Sequence, residues 1–515
     1  MKVIITLISG ILLGLLLSPV AQKEYTIELT KLDEVMRLIE HNYVDPLNDD
    51  TLSDQMLRTM LTTLDPHSRY STKEEQEQEA TLTKGSFDGI GVLLHYKGDT
   101  VCVNEITPGG PSVGTGLQPG DRILKVDTTV LSGVNLSHDE VLKHLRGPRG
   151  TRANLTIKRP GEEGSRHIQI VRNSISSPSV SYYGMLDGTT GYIMLNRFCE
   201  TSAEEFHQAL ASLKQQGMKQ LIFDLRENAG GLLGAVIDIA NELIPEGQQI
   251  VYTEGEHQRR RNVVSKPGGL FTEGKLVVLI NEFSASGSEI IAGTVQDNDR
   301  GLIVGRRSFG KGLVQSPFTL KDGSVVYLTT ARYYTPSGRC IQRPYNKGTD
   351  EYYMDFLRQT LDSRSDTILT RPTDTTRYFT TQGRVVYAGG GILPDKPLPL
   401  FTDSLLAYYN TLKNSGVFAD YAFDYISLHY ADLHKRYPSE DSFVSQFQAS
   451  DAMLQAVVAL GKERGIQPNA ATLKRYGAEM RDCIKAYLGQ SLFSTMTYTR
   501  IMLQYDEELK KARKY

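Results

Sequence analysis

Three serines spaced by alanine and glycine, Ser284 to Ser288 in "INEFSASGSEII", stand where an apolar strand pattern gives way to a helical one. A serine hydroxyl becomes a nucleophile at neutral pH only when an adjacent base takes its proton. Ser286 also lies three residues before Glu289, the spacing of a capping box, and on spacing alone N-capping outweighs catalysis. Small neighbours Ala285 and Gly287 nevertheless leave a side chain at that turn reachable, and the Gly287 N–H lies where an oxyanion donor belongs.

Two further strand-end loops stand out. In "LIFDLRENAGGLLGA", Asp224 ends an apolar strand and Gly230-Gly231 opens a helix, so backbone N–H groups can approach a ligand oxygen. In isolation a plain helix-start turn is the stronger reading of that pair. In "GRRSFGKGLVQ", Gly305, Gly310 and Lys311 fit GxxxxGK, but Gly312 stands where Ser or Thr should hold magnesium and a strand pattern follows. A nucleotide site is therefore rejected. What remains is Lys311 between glycines, with Gln315 on the same face of an extended strand, where its amide can orient a neutral amine. His67, His207 and His257 fall outside all three loops, whereas Lys311 lies inside one.

These loops need a scaffold. From Tyr182 to about Asp395, apolar strands ("GYIMLNRF", "QLIFDL", "KLVVLI", "GLIVG") alternate with helical patterns, which predicts an α/β layer with a largely parallel sheet. Such sheets collect ligand and catalytic groups at the carboxyl ends of their strands. Residues 85–174 break instead into short β-like runs punctuated by "TPGGPS" and "LQPGD", with one helix whose start carries a capping box, Ser137 and Glu140. Residues 22–84 and 396–515 read as helical from three- and four-residue apolar spacing. The C-terminal helices carry more apolar surface than a peripheral cap needs, which predicts a homo-oligomer; packing on their own core is the competing reading.

Composition narrows the partners. The chain has 515 residues, 40% hydrophobic and 23% charged, with a net charge of −3 and no long basic tract, so nucleic acid is not an expected partner. Four widely separated cysteines and the absence of HExxH give no ligand spacing, and no metal or cofactor is expected. The opening "MKVIITLISGILLGLLLSPVAQ" has the layout of an export signal over residues 1–21; an uncleaved membrane anchor is the alternative.

The segment "GLQPGDRILKVD", with "TPGGPS" before it and "GPRGTRANLTIKR" after it, resembles a PDZ module of the protease-associated kind. Such a module adds an extended peptide as a strand and receives its terminal carboxylate in a backbone loop. The matching loop is Phe87 to Val92, with Gly89, Ile90 and Gly91 at its centre, although a Gly-Ile-Gly alone is often only a tight turn.

In chain order, "NYVDP", "LDPHSRY", the PDZ segment, "DLRENAGG", "SASGSEI", "GRRSFGKGLVQ" and "GGGILPD" resemble the carboxyl-terminal processing proteases, S41-type Ser-Lys peptidases. That resemblance implies a ClpP/crotonase-like α/β core over 175–395, the nucleophile on Ser286, the base on Lys311 and a supporting amide on Gln315. It further implies oxyanion donors at the Gly287 amide and the Gly230-Gly231 turn, and Arg146 coupling groove occupancy to the core. Ala229 stands where many members have proline, and Gly287 where alanine is common. Ser284 stays an alternative nucleophile. The implied function is an exported, periplasmic endopeptidase that takes free C-terminal tails of protein substrates, with room for an adaptor protein. The competing function is a noncatalytic PDZ scaffold with a degenerate core.

Overall fold

The structure, a computed structural model, describes residues 29–47, 49–362, 372 and 374–515. The stretch read as an export signal or anchor lies outside them. The chain divides after Met60 into two compact units. Helices Leu29–Asn42 and Asp49–Thr62 follow their apolar spacing. Residues 65–71, read from sequence as part of a helical region, instead lead into a short strand, Arg69–Ser71, paired antiparallel with Val325–Tyr334. Pro66 disfavours helix at Asp65, which frees this stretch to join a sheet. Helix Lys73–Lys84 then starts at a Thr72/Glu75 capping box and ends at left-handed Gly85.

The β-rich segment forms an antiparallel sheet around Ile123, Leu131, Val141 and Ile157. Among the described residues, its strand Val92–Lys97 pairs on one side only, with Thr100–Ile106. The helix His138–Leu145 starts at the expected Ser137/Glu140 capping box.

The α/β layer comprises β1 (Thr190–Leu195), α1 (Ser202–Gln215), β2 (Gln220–Asp224), α2 (Leu233–Leu243), β3 (Lys275–Ile280), α3 (Gly287–Asp297) and β4 (Leu302–Gly305). The four strands run parallel in that order, with Val180–Met185 antiparallel on β1 and Lys396–Pro397 parallel on β4. Asp224 is in register with Leu279, and Ile280 with Gly305, so the loops leaving β2, β3 and β4 emerge side by side.

Both faces of the sheet are covered, which is why its strands read as continuous apolar runs. Phe206, Leu210, Val236, Ile239 and Ile291 from the helices pack against Phe223, Val278 and Ile303 on one face. On the other, Tyr192, Ile222, Val277, Leu279 and Val304 are covered by Leu398 and by Leu509 and Ala512 of the last helix, Glu507–Ala512. The C-terminal end of the chain is thus part of the α/β layer's packing, not of a separate helical region.

The preceding helices, from Leu406 to Met502, surround their own core of Phe418, Ile426, Phe443, Met480 and Ile484. They also dock on the antiparallel sheet, where His95 stacks on Phe423 at 4.4 Å and Ser491 Oγ meets Asn104 at 3.1 Å. Much of the apolar surface of these helices thus has intramolecular partners, while Leu428 stays 67% exposed.

Candidate active site

β3 ends at Ile280 and the chain turns through Asn281–Ala285 into α3. At the turn Ser286 has φ +52° and ψ −109°. The capping residues Thr72 and Ser137 hold the ordinary extended conformation, with φ −66° and −67°. A positive φ at a non-glycine residue costs on the order of 1–3 kcal/mol, so capping alone does not account for Ser286. Its flanking serines are committed elsewhere. Ser284, fully buried, donates Oγ to the Leu225 carbonyl (2.8 Å) and accepts the Asn281 N–H (2.9 Å). Ser288, also fully buried, donates to the Asn228 carbonyl (2.8 Å). Ser286 is half-buried. Strand-to-helix strain of this kind is what lifts a nucleophilic hydroxyl out of a turn.

The loop after β2 closes on the same point. A Cβ on Gly230, where φ is +100°, would lie 2.8 Å from both Ser286 Cβ and the Gly287 nitrogen, so only glycine lets the two backbones meet. The two glycines differ as donors. Gly230 N–H is already donated to Asn228 Oδ1 at 2.9 Å, which corrects the view of the pair as equal oxyanion donors. Among the described residues, the Gly231 and Gly287 N–H groups donate to no protein acceptor.

Glu289 joins the serine turn to the lysine loop. Its Oε2 accepts the N–H of Ser286 (2.9 Å) and of Lys311 (2.8 Å); its Oε1 accepts the Gly310 N–H (2.7 Å) and the Ser308 hydroxyl (2.5 Å). Burial lifts this carboxyl to about 7, against the pull of those four donors. Two more ties cross the same gap. Phe309 N–H donates to the Ser284 carbonyl at 3.0 Å, and the Tyr333 hydroxyl lies 2.5 Å from the Lys311 carbonyl and 3.2 Å from that of Ser286.

Burial, with the Arg69 charge adding to it, pulls the Lys311 ammonium below its ordinary value, while Glu289 and Asp65 oppose the shift. His67, distant in sequence from the three loops, is a neighbour of Lys311 in space. Burial and then the Lys311 charge drive its imidazole down to about 4, leaving it neutral and 3.0 Å from the Tyr352 hydroxyl. Phe309, Tyr352 and Phe356 form one aromatic cluster with His67, Phe309 and Phe356 at 4.9 Å.

Gln315 departs from expectation. The strand after the lysine begins only at Leu313 and its register shifts between Val314 and Gln315, so simple alternation does not relate Lys311 to Gln315. The Gln315 amide donates to Thr329 Oγ1 (3.1 Å), whose hydroxyl donates in turn to Asp65 (3.1 Å). Glu289, Tyr333, Asp65 and His67 are the neighbours that motif reading missed; only the quoted "LDPHSRY" and the capping-box spacing of Glu289 hinted at any of them.

The peptide-loop residues also assemble. Ile90 is buried and its carbonyl accepts the Ser112 hydroxyl (2.5 Å), while Gly91 takes φ +75° beside Pro111. Arg146, at the end of helix His138–Leu145, places its guanidinium 4.9 Å from the Phe87 ring and its Cα within 3.7 Å of where a Cβ on Gly89 would stand. Val92 begins the one-sided edge strand. Arg146 contacts this loop, and among the described residues no hydrogen bond, ion pair or ring contact runs from it to the α/β layer.

The α/β layer with its serine turn and lysine loop defines the class as a peptidase of the S41 type: residues 189–351 match peptidase family S41 and residues 89–170 a PDZ domain. Residues 408–494 match a family of unknown function, DUF8443. The chain is 36% identical over 323 residues to a carboxy-terminal-processing protease of Bartonella bacilliformis, spanning 61% of this chain and 73% of that protein. It is 36% identical over 315 residues to a carboxyl-terminal-processing protease of Synechocystis, spanning 59% and 72%. Among solved structures, a photosystem II D1 C-terminal processing protease is 27% identical, covering 73% of this chain and 88% of its own, with a TM-score of 0.36. The chain belongs to the carboxy-terminal-processing protease family and is a serine-type peptidase.

Proposed function

We propose that the protein is an exported endopeptidase that cleaves polypeptides through a Ser286 acyl-enzyme with Lys311 as general base, and that its PDZ segment receives the free C-terminal tail of the substrate. The single observation that carries the reading is the strained, half-exposed Ser286 tied through one carboxylate to a half-buried lysine of lowered pKa.

As the neutral Lys311 amine takes the hydroxyl proton, Ser286 Oγ attacks the scissile carbonyl carbon. The resulting oxyanion faces the Gly287 and Gly231 N–H groups. Collapse expels the amine product, which takes its proton from the Lys311 ammonium. Water then attacks the ester, giving a proton to Lys311, and collapse releases the new C-terminal carboxyl group as Ser286 Oγ departs and takes that proton back from the Lys311 ammonium. Gln315 acts indirectly, by holding Thr329 and Asp65 beside the lysine.

The edge strand Val92–Lys97 supports tail binding, since its unpaired side can take an extended peptide while the Phe87–Val92 loop meets the carboxylate. Two measurements test the proposal. A serine-reactive phosphonate should label Ser286; intact tail binding without labelling would favour the scaffold. A substrate with a free carboxylate tail should be cut faster than its amidated copy, and equal rates would remove carboxylate recognition.

A further inference from the structure

The last residues of the chain reach all three loops of the candidate site. Arg226 lies four residues before Gly230, Glu282 four before Ser286 and Arg306 five before Lys311. Arg226 pairs with Asp224 (2.5 Å), which also accepts the Tyr192 hydroxyl (2.7 Å). Arg306 pairs with Glu282 (2.7 Å). Into this cluster come Asp506 and Glu508, from the start of the final helix. Asp506 meets Arg226 at 2.6 Å; Glu508 gives Oε2 to Arg226 at 3.0 Å and Oε1 to Arg306. One carboxylate thus spans the loops after β2 and β4, and Arg306 extends the tie through Glu282 to the loop after β3. The side chains are largely buried, Arg306 and Glu508 at 5% and 12% exposure, where such pairs are little screened.

We propose that Glu508 is a positioning residue for the catalytic centre, acting through Arg226 and Arg306 to hold the oxyanion, serine and lysine loops in mutual register. The proposal rests on the Ser286–Lys311 reading. It has a chemical requirement. A carboxylate offers an acceptor oxygen to each arginine, whereas glutamine has one, and its NH2 would face a guanidinium, so one loop must be released. Leu509, the next residue, gives a control, because its side chain packs under the sheet and takes no part in the ion cluster.

The test uses the full chain carrying Glu508→Gln or Leu509→Ala. Glu508→Gln should lower kcat by about tenfold or more with KM within about twofold, because misplaced loops cost turnover more than binding. Amide exchange should quicken over residues 226–231 and 306–311 while β2 and β3 stay protected. Leu509→Ala should lower the melting temperature yet keep kcat per folded molecule. A Glu508→Gln enzyme with wild-type kcat, or one whose loss matches its loss of folded fraction, overturns the proposal, as does unchanged exchange in both loops. If Ser286→Ala cleaved like wild type, the catalytic reading would fail separately, and exchange alone would judge the tie.

Discussion

Ser286 and Lys311 share one oxygen atom: Glu289 Oε2 accepts the N–H of the first at 2.9 Å and of the second at 2.8 Å. The two backbones that carry the candidate nucleophile and base are therefore fixed to a common point, and the capping box at Glu289 becomes a connector. In an ordinary box the acid serves only its own helix start, as Glu140 does for Ser137.

Glu289→Gln should lower kcat by about 100-fold with little change in KM, since a shift of about 1 Å in the reacting groups is enough for that. Glu289→Ala should also destabilise the fold by about 1–3 kcal/mol, because four donors lose their acceptor in a buried site. Steady-state kinetics beside thermal unfolding check both. A glutamine variant within twofold of wild type would show that the connector is dispensable.

The serines separate by which property each loses. Ser286→Ala should abolish cleavage and change stability by no more than about 1 kcal/mol. Ser284→Ala should cleave normally but lose about 1–3 kcal/mol, as a buried hydroxyl bridging the Asn281 N–H and the Leu225 carbonyl disappears. The opposite pattern would move the nucleophile to Ser284.

The pH dependence follows from signs. Lys311 serves as base only when neutral, and burial plus the Arg69 charge lower its pKa, so the rate should rise with pH and level off below the free-lysine value. Glu289, lifted to about 7, adds in the same direction, since its protonation puts a hydrogen among four donors. The acid limb near pH 7 should therefore be steeper than one proton in wild type and single-proton in Glu289→Gln. Lys311→Arg should be inactive throughout, as guanidinium keeps its proton; an active arginine variant would take Lys311 out of the mechanism.

Gly230→Ala should cost about 100-fold in kcat, because its Cβ would press on Ser286 Cβ and the Gly287 nitrogen at 2.8 Å in a backbone that alanine resists. Gly234→Ala, in α2 with open space around it, is the comparison. It should keep activity and gain up to about 1 kcal/mol of helix stability, read by denaturant unfolding.

Much of this was legible in the chain because it depends on neighbours in sequence. The run "KLVVLI" and the pattern of "GSEIIAGTVQD" record a buried strand and a following helix through their own periodicity, and "LSHDE" records a helix start through one turn of hydrogen bonds. The break of the GxxxxGK pattern at Gly312 was equally local, and a strand does follow it. Motif order along the chain also sufficed for the family.

What only the tertiary structure decided are relationships between distant segments. No spacing rule links Asp65 and His67 to Lys311, or Tyr333 to Ser286, because those contacts join segments tens to hundreds of residues apart in the chain. The register shift at Gln315 is invisible in a sequence read by strict alternation. Nothing near residue 508 announces that its carboxylate will meet Arg226 and Arg306, or that Leu509 will close the sheet's second face. Local periodicity reports which side of an element is buried; what buries it is set by packing across hundreds of residues, and that information resides in the folded whole.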